Sequence, residues 1–194
     1  MTLTRFYGRP EHTTRLDKYS RARQHDLFGC LRRDGTTVGV VGVEAKACES
    51  FDGIVADRAG AQAPSKKRAH CNLLSGALFG RAVLEEETGE ILDPSLSGHG
   101  YQLWTAAVGT IIEAQRRGVD DAVLVVQQFV PREQATARSR GDNRNWSAAL
   151  TANAAAFDAL AAELEAGGSK SHKTDFVKSG TTLHVLKVRS ILED

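Results

Sequence analysis

Residues 101–130 constrain the fold more than any other stretch. Over 101–117, Leu103, Trp104, Ala107, Val108, Ile111, Ile112 and Ala114 recur at spacings of three and four, which line one side of a helix. Gly118 stands where a left-handed residue closes such a helix. After a short connection, residues 122–130 form a nearly continuous apolar run, which predicts a strand covered on both faces. Helix, short loop and buried strand in that order predict an α/β core.

The remaining elements fit around this unit. Residues 26–32 and 36–46 read as two strands, and Asp34-Gly35 between them is a hairpin-turn signal. Residues 11–23 are polar, with Leu16 and Tyr19 three apart, and predict a short first helix. Residues 50–67 read as a loop, and 67–79 as a helix ending near Gly80. Residues 85–100 read as a surface excursion without core residues, and 132–144 as a polar loop holding Arg132, Arg138, Arg140 and Arg144. An alanine-rich helix at 147–166 and a last strand at 181–189 complete a single domain over residues 1–194.

Composition removes several classes of protein. The chain has 194 residues, 41% of them hydrophobic and 25% charged, near the globular average, so disorder, collagen and coiled coil do not describe it as a whole. No apolar run approaches the roughly 18 residues of a membrane span, and residues 1–10 carry Arg5 and Arg9 with no apolar stretch behind them. No membrane association is expected, and a cytoplasmic location is. Cys30, Cys48 and Cys71 lack metal-ligand spacing and read as reduced packing thiols. Residues 1–70 hold 13 basic and 8 acidic side chains against 12 and 16 in the rest, an asymmetry compatible with a phosphate-facing side.

One cluster does not fit a plain valine strand. Strand alternation puts Val38, Val40, Gly42, Glu44 and Lys46 on one face, so a carboxylate and an ammonium share the end of a strand expected to be buried. Charges there need pairing or a metal. With 12 Glu and 8 Lys in the chain, about half an E-x-K triplet is expected by chance, so context has to carry the argument. Asp26 supplies it: across an antiparallel hairpin, the start of one strand lies beside the end of the other. A plain two-residue turn would send Asp26 and Glu44 to opposite faces. A three-residue loop, or a bulge at Gly35 or further along the hairpin, is therefore the condition for a shared site.

Asp26, then a spacer, then Glu44-Ala45-Lys46 resembles the PD-(D/E)xK nuclease superfamily, with His25 where the proline of that signature would stand. The resemblance covers roughly residues 11–130 and extends to an uncharacterised bacterial branch through residues 43–51 and 101–129. It implies a restriction-endonuclease-like core, a mixed β-sheet flanked by helices. It further implies Asp26 and Glu44 as metal ligands, Lys46 as the lysine of the site, and Gln102, on the following helix, as the glutamine that RecB-like branches contribute. Two carboxylates and the backbone carbonyl of Ala45 form a hard-oxygen set suited to Mg²⁺ or Mn²⁺, with Glu11 as an optional water-mediated ligand. The expected activity is metal-dependent phosphodiester hydrolysis on DNA rather than RNA. Lys66, Lys67 and Arg68, with Arg138 and Arg140, are candidate nucleic-acid contacts, and a homodimer is the expected assembly by analogy. The alternative is a catalytically inactive module of the same fold that binds nucleic acid or protein. In that case Asp26, Glu44 and Lys46 form an ion-pair cluster, and Gln102 and the basic groups are solvated surface.

Overall fold

The structure is a computed structural model and describes residues 5–16, 23–47, 49–51, 53–131 and 146–192. Five strands form one mixed sheet in the order β1-β2-β3-β4-β5. β1 (Arg5–Thr14), β2 (Arg23–Arg33) and β3 (Thr36–Lys46) are antiparallel neighbours, whereas β4 (Asp121–Pro131) and β5 (Thr182–Leu192) run parallel to β3. The two parallel junctions need long crossovers. The first carries α1 (Val55–Ala59), α2 (Ser65–Phe79), α3 (Pro94–Ser97) and α4 (Tyr101–Arg116), and the second carries α5 (Trp146–Gly167).

α4 is the centre of the molecule. Every residue from Leu103 to Ala114 is buried, because α4 lies on the sheet and α2 and α5 pack against it from behind. Trp104 is fully enclosed, edge-on to Phe79 and His99. The helix closes as its sequence suggests, with Gly118 in the left-handed region, and α2 does the same at Gly80.

Four sequence expectations are corrected. Residues 5–14 form the edge strand β1, so 11–14 are not helical; periodicity in a short polar segment does not outweigh a free sheet edge that can pair its backbone. The segment 50–67 contains α1, whose Val55 and Ala59 are core residues. The excursion 85–100 holds α3, and Leu96 on it is wholly buried. β4 is covered on one face only. Ala122, Leu124, Val126, Gln128 and Val130 point into the helical layer, while Val123, Val125, Gln127 and Phe129 are half-exposed. Its apolar run reflects valine's strand preference as much as burial.

Candidate functional site

The hairpin satisfies the register condition by a bulge. Asp34 and Gly35, both at positive φ, make a two-residue turn. Arg32 then pairs with Thr37, but Leu31 pairs with Gly39, so one extra residue of β3 is accommodated beside Leu31 and Arg32. The last pair is Leu27 with Val43, and continuation of that register sets Asp26 opposite Glu44.

Here β2 and β3 part while β3 continues beside β4 to Lys46. The Asp26 carboxylate takes over the vacated ladder position, accepting the Ala45 N–H at 2.7 Å. The N–H and C=O of one strand residue point to the same side, so the Ala45 carbonyl faces Asp26 too. Strand alternation fails locally. His25 and Phe28 both face the helical layer, and across from Asp26 on β1 stands Glu11 at φ +51° with no ladder partner. This irregularity frees Asp26 from the alternation and leaves it exposed beside a buried Glu44.

Glu44 is only 1% exposed and is surrounded by donors. Arg23 forms an ion pair with Oε2, Lys46 Nζ lies 3.0 Å from Oε1, and Gln102 Nε2 donates to Oε1 at 2.5 Å. Lys46 also reaches Glu49 at 3.6 Å and sits 5.7 Å from the centre of the Phe51 ring. Gln102 arrives from the first turn of α4, which runs back over β3 from its carboxyl end. Burial pushes the Arg23 guanidinium below its ordinary pKa, against the raising pull of Asp26 and Tyr101. Arg23 is thus paired with Glu44 and feels the charge of Asp26 as well.

The site brings together Asp26, Glu44, Ala45, Lys46 and Gln102. It leaves out Glu11, which is exposed on β1, and the Lys66 to Arg68 cluster. Lys66 and Lys67 are exposed on α2, whereas Arg68 is buried and donates to the carbonyls of Ala63, Glu86 and Glu87, each at 2.6 Å, so it clamps a loop. The expectations for Arg138, Arg140 and Cys48 fall outside the described residues. Of the other cysteines, Cys71 is buried and its thiol is pushed up to about 12 by burial, while Cys30 is half-buried.

Two site residues escape the sequence motif. Arg23 precedes the apolar part of β2 and looks like any surface arginine, so its sequence carries no signal. Gln128 does carry one: it continues the inward parity of Ala122, Leu124 and Val126 and pairs in register with Lys46. At the far end of α4, a cavity of about 570 Å³ is lined by Arg15, Ile112, Arg116, Lys173, Phe176 and Lys178, well away from Gln102.

A metal here would have few protein ligands. Among the described residues no group of three or more His, Cys, Asp or Glu side chains converges. Asp26, Glu44 and the Ala45 carbonyl fit an ion that keeps most of its own water, as Mg²⁺ does when it is held by one or two carboxylates and completed by a substrate phosphate. The Arg23 guanidinium, a cation seated on Glu44, marks where positive charge is stable. No helix among the described residues is long and apolar enough to cross a membrane. No curated protein and no solved structure matches the chain. A family model does match, over residues 2–190, and the chain belongs to that family, the Domain of unknown function (DUF6946).

Proposed function

We propose that the protein is a metal-dependent phosphodiesterase of the PD-(D/E)xK type, acting on DNA in preference to RNA, with a restriction-endonuclease-like core. The observation that carries this reading is the meeting of Asp26, Glu44, Lys46 and Gln102 at the carboxyl end of β3, from three segments of sequence. Bound Mg²⁺ or Mn²⁺ would supply charge stabilisation at the scissile phosphate and acidify a water. Asp26, Glu44 and the Ala45 carbonyl would hold it. Lys46 places an ammonium at the same carboxylate, where it can orient the attacking water or steady the charge that develops on phosphate oxygens. Gln102 fixes the Glu44 carboxylate by its hydrogen bond. Arg23 must leave Glu44 to make room, and once displaced it is a cation beside the reacting phosphate. A homodimer remains part of this proposal by analogy.

One observation favours a second reading. Arg23 and Lys46 already neutralise Glu44, so the cluster is a buried ion-pair network and suits a catalytically inactive module that binds nucleic acid or protein. Calorimetric Mn²⁺ titration of the wild type beside Glu44→Gln, followed by incubation of both with plasmid and single-stranded DNA, separates the two. Uptake and cleavage by the wild type alone are expected. A wild type that takes up no metal, with a Glu44→Gln variant that loses stability because Arg23 and Lys46 are left without their counter-charge, would favour the inactive module.

A further inference from the structure

Lys46, Gln128 and Arg189 stand in one register row across β3, β4 and β5, near the carboxyl ends of three parallel strands. Neighbouring strands are about 4.8 Å apart, so the row is a short, evenly spaced line. All three share the helical face: Lys46 follows Glu44, Gln128 follows Val126, and Arg189 follows Leu183, Val185 and Lys187, the last over the Phe157 ring of α5. Carboxyl ends of parallel strands are where open α/β sheets bind ligands.

The middle member of the row has an amide nitrogen without a partner among the described residues. Gln128 is 2% exposed, and its Nε2 has no hydrogen-bond acceptor among the described residues. A buried amide donor without an acceptor is costly and uncommon. Its two neighbours in the row carry cationic groups that only donate, Lys46 being shared with Glu44, and the one acceptor in the row is the amide oxygen of Gln128 itself. A group with several acceptor oxygens and negative charge would give the Gln128 amide nitrogen its acceptor and meet the positive charge of Lys46 and Arg189 on either side, and a phosphodiester is such a group.

We infer that Lys46, Gln128 and Arg189 form a phosphate track along which a nucleic-acid strand crosses the sheet. Gln128 Nε2 holds the phosphate next to the one at Lys46, and exposed Arg189 holds the strand as it leaves. This rests on the phosphodiesterase reading for the identity of the strand, and it assigns Gln128 and Arg189, which the signature does not include.

Fluorescence anisotropy with labelled oligothymidylate in EDTA tests it without turnover. Gln128→Leu, which keeps volume and removes the donor, should weaken binding about tenfold, the worth of one hydrogen bond to a charged group. It should leave the unfolding midpoint equal or higher. Arg189→Glu, at an exposed position, should weaken binding further and flatten the salt dependence by about one phosphate contact. Wild-type affinity in both variants, or no binding by the wild type, would overturn the track. Failure of the two readings can be told apart. If the row variants lose binding while the wild type with Mn²⁺ cuts nothing, the track stands and the hydrolase reading falls. If the wild type cuts and the row variants bind normally, the reverse holds.

Discussion

His25, which occupies the proline position of the signature, is wholly buried between Gly42 of β3 and Gly109 of α4, and neither ring nitrogen has a hydrogen-bond partner among the described residues. Burial lowers its pKa from 6.5 to about 4, helped by Arg23 and His12 and opposed by Glu113. The unfolded chain takes up this proton below pH 6.5 while the folded chain stays neutral to about 4, so stability present at neutral pH is lost as pH falls through that window, by about 3 kcal/mol at its lower end. Urea midpoints between pH 7 and 4 should therefore fall steeply in the wild type and less in His25→Leu. His99, also lowered by burial, leaves a residual slope. An identical acid arm in the variant would assign the effect elsewhere. Glu113 acts only toward the acid extreme, since its carboxyl, which burial alone would raise, is brought below the usual range by Arg117, Thr14 and His12. At this scale strand alternation shows Glu44 and Lys46 and the hairpin brings in Asp26, whereas Gln102 is reached only through the resemblance to the nuclease superfamily. The sequence hides Arg23, whose partner is chosen by the parting of β2 from β3, and it hides the fact that Asp26 escapes strand alternation.

Elements whose periodicity is enforced by burial were legible to within a residue or two: β3, the end of α2, α4, and α5 with its closing glycines. Those stabilised by backbone pairing or by a few core contacts were not, as β1, α1 and α3 show. The close approach of α4 to the sheet is likewise unreadable without the structure. It depends on Gly42, where an added methyl group would overlap Thr110 Oγ1, and on Gly109, where one would come 2.9 Å from His25 Nε2. Thr110 is itself buried and bonded to the Ala106 carbonyl at 2.8 Å, so it cannot swing away. Gly42→Ala should cost about 1–3 kcal/mol by overpacking. Thr110→Ala removes the obstructing oxygen and should recover part of that loss in the double variant. A double-mutant cycle on urea stability measures the coupling, and strict additivity would mean that the helix shifts as a body.

Across the whole molecule, the long crossovers demanded by parallel strands are tied down by side-chain amides that act as backbone partners for loops. Asn72 on α2 accepts the N–H groups of Val83 and Leu84 and donates to the Leu84 carbonyl. Gln115 on α4 accepts the Lys178 N–H and donates to the Lys178 carbonyl, fixing the approach to β5. Asn153 on α5 accepts the Phe51 N–H at 2.9 Å and donates to the Glu49 carbonyl at 2.9 Å. Amides on helices are read from sequence as solvated, so none of these ties could be foreseen. Asn153 is itself wholly buried, and its tie holds the segment directly after Lys46, including the Phe51 ring beside its ammonium. Asn153→Ala deletes two hydrogen bonds and strands a buried N–H, a loss of about 2–4 kcal/mol. Gln115→Ala, whose contacts to Lys178 are solvent-exposed, should cost only about 1 kcal/mol. Urea unfolding of both, with amide exchange followed over residues 49–51, should show the larger loss and the faster exchange in Asn153→Ala. Losses equal in the two variants and under about 0.5 kcal/mol would mean that the segment after Lys46 is held by Phe51 packing alone.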